Sequence, residues 1–178
     1  VISGSKIDYI GDASNINSDN RLNAKGKIVC PGFIDIHTHA DFPIFVDGLS
    51  QSSLRQGITT LVTGNCGHGP APSPINEITK RNVIGFNEEW GIDIAWNTFE
   101  EYLENLFTKG VSTNIAPLVP HGTIRLAAMG SAEREPTQKE LNHMKSLVSE
   151  AMSAGAIGIS TGLEYSPGQY ANQKELIS

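Results

Sequence analysis

The sequence predicts an α/β fold built on a parallel sheet, and three observations predict it. Four short apolar runs, Phe33 to Ile36, Ile58 to Thr63, Asn114 to Val119 and Ala156 to Ser160, have the length and composition of strands. Amphipathic helical patterns separate them, and strands that alternate with helices form βαβ units, because the helix carries the chain back to begin the next strand parallel to the last. The helical patterns stop at a glycine shortly before a strand begins, which is the expected αβ connection.

Taken in order, the chain opens on two β-type runs, Lys6 to Ile10 and Lys27 to Val29, split by a polar stretch, Gly11 to Asn20, rich in Asn, Ser and Asp. Residues 1–30 thus read as a small β segment ahead of an α/β part, 31–178. After the first strand a short helix, Ser50 to Gln56, ends at Gly57 and leads into the second strand. The span from Gly64 to Trp96 is irregular; with Pro70, Pro72 and Pro74 close together it reads as a long loop with room for one helix. Thr98 and Glu101 then form a capping box, in which hydroxyl and carboxylate satisfy amide donors that the first turn leaves unpaired. Phe99, Tyr102, Leu103, Leu106 and Phe107 follow on one helical face, and Gly110 is the stop. Thr137 and Glu140 repeat the device ahead of Leu141, Met144, Val148, Ala151 and Met152, with Gly155 closing the helix. The residues Gln173 to Ser178 begin a further helix. No internal repeat or low-complexity tract interrupts this order.

Composition narrows the function. Apolar residues are 39% and charged ones 18%, below the usual ~25%, so the chain is globular rather than disordered. With 13 Lys plus Arg against 19 Asp plus Glu, the net charge of −6 has the wrong sign for a general phosphate-backbone binder, and nucleic acid is not an expected partner. No apolar run approaches the ~18 residues of a membrane span, and Val1 to Ile10 lacks a basic region followed by a long apolar core, so no membrane partner is expected. Cys30 and Cys66 are too few for a disulfide framework. Reduced cysteines in a cytoplasmic protein are the expectation.

The residues with most chemistry lie at strand ends. In Phe33-Ile34-Asp35-Ile36-His37-Thr38-His39 an apolar strand finishes in a His-x-His pair, and side chains two apart on a strand share a face. His37 and His39 can therefore offer two neutral imidazoles to one metal ion, or they can simply hydrogen-bond locally. The second strand runs into Gly64-Asn65-Cys66-Gly67-His68-Gly69, a glycine-rich exit carrying a thiol. In parallel α/β proteins chemistry concentrates where strands end, and a thiolate is a strong zinc ligand. A small buried Cys under a loop is the other reading of Cys66, and the one given to Cys30. Asp35 is expected to make a structural hydrogen bond, Asp41 to reach the mouth of the pocket, and His143 to sit on the surface of a helix. His121, at the third strand's exit, suits either support of a metal ligand or a backbone hydrogen bond in a turn.

Pro31-Gly32-Phe33-Ile34-Asp35-Ile36-His37-Thr38-His39 resembles the first-strand signature of the amidohydrolase superfamily. Gly57-Ile58-Thr59-Thr60 leading to Gly64-Asn65-Cys66-Gly67, His121-Gly122-Thr123-Ile124-Arg125 and Gly155 to Tyr165 are similar to the D-aminoacylase (N-acyl-D-amino-acid deacylase) branch. The resemblance implies a partial TIM (β/α)8-type barrel, strands one to four with their helices, preceded by part of a small β-sandwich. It also implies that His37, His39 and Cys66 are metal ligands, Cys66 replacing the carboxylated lysine that hydantoinase-like members carry on strand four; Gly158 to Gly162 contains no Lys. Zinc is the implied cofactor, and it would make a bound water acidic enough to act as hydroxide and would polarise an amide carbonyl. Tyr165 is implied to donate to the scissile carbonyl oxygen. His68 stands where the family more often has an apolar residue; it could reshape the pocket, be a spare ligand or face solvent, and solvent is the expectation.

The implied activity is zinc-dependent hydrolysis of N-acyl-D-amino acids, small molecules, to a D-amino acid and a carboxylate. Other amidohydrolase activities, on dipeptides or cyclic amides, and a non-catalytic half-barrel are the competing readings. A complete barrel usually needs about 250 residues, and the family's further histidines from strands five and six and its Asp from strand eight have no counterpart in these 178 residues. The chain is therefore expected to be an internal fragment of a longer enzyme, inactive alone, with an open sheet edge beside strand four through which a second copy could associate.

Overall fold

A computed structural model describes residues 1–18, 20–72 and 88–178. The chain divides into two compact units, Val1–Pro31 and Gly32–Ser178. In the first, β1 (Ile2–Ser3) and β2 (Lys6–Ile7) form an antiparallel pair. The β-type run Lys27 to Val29 is not a strand. A strand exists only where a neighbouring backbone accepts its hydrogen bonds, and among the described residues none pairs with this run, which leaves Ile28 92% exposed.

The second unit carries the α/β sheet. Its four strands are β3 (Phe33–Asp35), β4 (Ile58–Thr63), β5 (Asn114–Pro120) and β6 (Gly158–Ser160). They lie in the order β3-β4-β5-β6, every pair parallel. Sequential order with a helical crossover between neighbours is the topology of a (β/α)8 barrel, and the curled sheet is one half of it. The register pairs Val62 with Ala116 and Val119 with Ile159. All four strands consequently finish at the same edge, which carries His37 to His39, Asn65 to Gly67, His121 and Thr161 together.

Between the strands run α1 (Pro43–Val46), α2 (Gln51–Leu54), α3 (Phe99–Lys109), α4 (His121–Met129) and α5 (Gln138–Ala154), and α6 (Gln173–Ile177) follows β6. Both capping boxes form: Glu101 N donates to Thr98 Oγ1 at 3.1 Å and Glu140 N to Thr137 Oγ1 at 3.3 Å, with each glutamate returning to its cap amide. α3 presents Phe99, Tyr102, Leu103 and Leu106 to a core that also holds Phe45, Leu61, Trp96, Val119, Ile124 and Met144. The Phe45 and Trp96 rings stack at 5.0 Å. Phe107 and Met152, expected in the buried stripes, are 55% and 44% exposed. Each residue turns the helix by about 100°, so Leu106 and Ala151 occupy the contact face and rotate the next side chain off it.

The unforeseen α4 has no capping signal: it starts at His121 straight out of β5, and Pro120 offers no side chain to cap it. Of the irregular span Gly64 to Trp96, the described part contains two single turns of 3-10 helix, Asn65–Gly67 and Glu88–Trp90. Pro74, and with residues 73–87 much of the span in which one helix is expected, lie outside the described residues. Among the described residues, no helix is long and apolar enough to cross a membrane. β3 and β6 are the outer strands, with Phe33, Ile34, Ile157 and Ile159 exposed.

Leu106→Ala is expected to lower stability by about 2–5 kcal/mol in urea denaturation, since Leu106 is fully buried and its truncation leaves a cavity. The Glu140 carboxyl is held well below its ordinary range, first by Arg134 and then by the Thr137 amide and hydroxyl. A depressed folded-state pKa stabilises above the unfolded value of about 4.3 and ceases to as pH falls below it. Denaturation followed from neutral pH into acid should thus show a steeper loss for wild type than for Glu140→Gln.

Candidate metal centre

β3 delivers the histidine pair. His37 N donates to Asp35 Oδ1 at 3.2 Å, the structural bond expected of that carboxylate, and Thr38 N donates to Val62 O at 3.4 Å, tying the exit to β4. The two imidazoles stand side by side, ring centroids 5.6 Å apart at 71°. Burial, reinforced by His37, lowers the pKa of His39, which keeps it in the neutral form that binds metals.

β4 brings up the thiol through an unusual backbone. Gly64 has φ +73°, and a Cβ there would lie 2.2 Å from Leu118 O, so β5 leaves room for glycine alone. Cys66 itself is left-handed, φ +57° and ψ +23°, a conformation that costs a non-glycine residue roughly 1–2 kcal/mol. Several hydrogen bonds hold it. Asn65 Nδ2 donates to Thr38 O at 3.2 Å and to Val62 O at 2.8 Å, stapling the β3 and β4 exits together. Gly67 N donates to Ser160 Oγ at 2.9 Å, while that hydroxyl donates to Gly64 O. Tyr165 Oη donates to Cys66 O at 2.8 Å.

This backbone sets Cys66 Sγ 3.2 Å from His37 Nε2, and one ligand atom from each of His37, His39 and Cys66 lies within 4.8 Å of the others. Tetrahedral donors around one zinc at bonds of about 2.0–2.3 Å stand about 3.5 Å apart, a spacing close to that of the Cys66–His37 pair and within about an ångström of the widest separation here, and two imidazoles with a thiol are a zinc-type set. His39 Nδ1 is buried and makes no hydrogen bond, so a metal or a partner group for a metal ligand would satisfy it. Among the described residues no other group of three such side chains gathers in this way.

Residues 22–175 match the model of the amidohydrolase family. The chain belongs to that family. It is 42% identical over 179 residues to an N-acyl-D-glutamate deacylase of Alcaligenes xylosoxydans xylosoxydans, covering 98% of this chain and 35% of the relative. A D-aminoacylase structure, described for its binuclear metal centre, superposes with a TM-score of 0.85 at 36% identity, covering 98% of this chain and 36% of that one. An N-acyl-D-glutamate deacylase from Bordetella bronchiseptica, complexed with zinc and a phosphonate mimic of the tetrahedral intermediate, gives a TM-score of 0.80 at 35% identity, with 94% and 35% covered. The chain spans about a third of the length of these relatives.

Around the three candidate ligands, this amidohydrolase chain departs from several expectations. His68 is buried at 3% exposure rather than solvent-facing, its ring centroid 4.9 Å from that of Tyr165. Burial and the nearby His39 push its pKa down to about 4, so it is neutral. Nothing local in the sequence shows that the β6 exit loop comes back over this position. Asp41, expected at the pocket mouth, is instead buried, with Oδ1 accepting from Gly64 N at 2.5 Å, and burial raises its carboxyl to about 7. Cys30, expected to be buried, is exposed. His143 lies on the exposed face of α5 as expected.

Tyr165 stands beside the cluster with its phenol raised to about 12, by burial first and then by Cys66. His121 contacts neither a metal ligand nor a turn backbone; it lies buried between Thr161 and Glu175. Arg125 and Glu175 were not foreseen, although a lone Arg inside the apolar run from Ile124 to Ala128 is the mark of a buried ion pair. Asn65→Ala should destabilise the protein by about 1–3 kcal/mol in denaturant titration, because the amide is largely buried and two carbonyls lose its donors.

Proposed function

We propose that the protein is a zinc-dependent amide hydrolase cleaving N-acyl-D-amino acids to a D-amino acid and a carboxylate. The observation that carries this reading is the convergence of His37, His39 and Cys66 at the exits of two neighbouring strands. Those three residues would hold the metal, which when bound makes water acidic near neutral pH and polarises an amide carbonyl. The chain's own groups prepare the place for it. Asn65, Asp41 and Ser160 hold the β4 exit in the backbone geometry that aims the thiol at His37. Tyr165 keeps its proton at neutral pH and would donate it in a hydrogen bond to the substrate carbonyl oxygen, exchanging the Cys66 carbonyl for the substrate's. The pairing of these exits with relatives that deacylate N-acyl-D-amino acids supports the substrate class.

The same reading assigns residues 1–30 to part of a small β-sandwich, for which the β1–β2 pair is the support, and 31–178 to the first half of the barrel. A thiol ligand functions only while reduced, which favours the cytoplasm. The open β6 edge would be covered in the working protein, by further strands or by a second copy. On this reading His37, His39 and Cys66 are the ligands and no described residue beside them serves as general base, so the 178 residues alone should bind zinc without turnover.

The test is hydrolysis by the full-length zinc-loaded protein. Release of amino acid from N-acetyl-D-amino acids, absent after chelation and restored by zinc, is the expected result; equal rates on the L-enantiomers would overturn the substrate class. Cys66→Ala should lose most of the activity, together with the thiolate charge-transfer band of the cobalt-substituted protein. Retention of both would remove Cys66 from the ligand set.

A further inference from the structure

Away from the metal centre, a buried polar chain crosses the unit beneath the β5 and β6 exits. Arg125, wholly buried on α4, donates from Nη1 to Glu175 Oε2 at 2.5 Å and from Nη2 to Arg134 O at 2.9 Å. Glu175, also buried, presents its other oxygen to His121 Nε2 at 2.8 Å. His121 Nδ1 lies 3.0 Å from Thr161 Oγ1. With the imidazole neutral, one proton arrangement serves His121, Glu175 and Thr161 together. Nε2–H donates to the carboxylate, and the bare Nδ1 accepts from the Thr161 hydroxyl. Burial lowers the His121 pKa against the pull of Glu175, consistent with that neutral state.

A buried ion pair adds little net stability over apolar packing, so what this one supplies is direction. Its direction is read from its outer end. Thr161 is exposed and is the first residue beyond β6. The next residue, Gly162, lies so close to the β4 exit that a Cβ would be 2.4 Å from Cys66 O and 2.3 Å from Tyr165 Oη. The loop then folds back on itself, Gln169 N donating to Tyr165 O at 2.9 Å. With so little clearance, the placement of the Tyr165 phenol depends on where Thr161 and Gly162 are held.

We propose that Arg125, Glu175 and His121 form a positioning relay that holds Thr161 by its hydroxyl and thereby sets Tyr165 over the Cys66 carbonyl. These are positioning residues, since none of the three touches the candidate ligands. The consequence for turnover rests on the reading of Tyr165 as an active-site phenol; the consequence for the order of the loop does not.

The experiment uses the full-length zinc-loaded protein with 3-fluorotyrosine incorporated at position 165, observed by fluorine NMR. Thr161→Val keeps the shape of an exposed side chain and removes the hydroxyl, so it cuts the relay without opening the core. Wild type and Thr161→Ser should each give a single sharp resonance, and Thr161→Val and His121→Phe broadened or split ones. Displacement of a reacting group by about 1 Å can cost as much as a hundredfold, so kcat in Thr161→Val should fall roughly tenfold or more with KM and zinc content unchanged. The loss should vanish in the Tyr165→Phe background. An unchanged resonance in Thr161→Val overturns the relay, whatever happens to kcat. A disturbed resonance with full activity in Tyr165→Phe upholds the relay and instead overturns the role of Tyr165.

Discussion

Everything at the candidate centre depends on the left-handed turn at Cys66, where β4 leaves the sheet. An ordinary extended exit would carry the thiol along the strand and away from His37. The turn instead folds it back to 3.2 Å from an imidazole nitrogen. Left-handed backbone at a residue with a side chain is unfavourable by roughly 1–2 kcal/mol, whereas each hydrogen bond to it contributes about 0.5–1.5 kcal/mol. Bonds from Asn65, Asp41, Ser160 and Tyr165 to the exit are thus sufficient to hold it. Besides those of Asn65 in the exit itself, the bonds come from the segment after β3 and from β6 and its loop, so the geometry persists only when the neighbouring strand exits are in register.

That dependence explains the close packing at the strand ends. Leu118 O occupies the space beside Gly64, and Cys66 O lies against Gly162, so β5 and the β6 loop both press on the β4 exit. The polar groups beneath are buried but paired: Asp41 to Gly64 N, Glu175 to Arg125 and His121.

Much of this was legible along the chain because it depends on near neighbours. The capping boxes at Thr98 and Thr137 are three-residue patterns, and both formed as read. The run Ile58 to Thr63 became β4 without a shift. The His-x-His spacing by itself implied two imidazoles on one side. Misreadings arose where a distant partner decides the outcome. Lys27 to Val29 has strand composition but no backbone to pair with among the described residues. His68 packs against Tyr165, nearly a hundred positions on, a partner that no local pattern names. Phe107 fell to the solvent side because Leu106 claimed the contact face.

The sequence by itself determined the alternation of strand and helix, their order, and the residue types able to bind a metal, because period, capping and ligand chemistry are properties of short segments. Only the tertiary structure decided that Cys66 would meet His37, that Asp41 would support a backbone amide rather than line a pocket, and that His121, Arg125 and Glu175 would join. Those outcomes require strands far apart in sequence to stand about 4.8 Å apart in a sheet, and no local pattern encodes which side chains that spacing brings face to face.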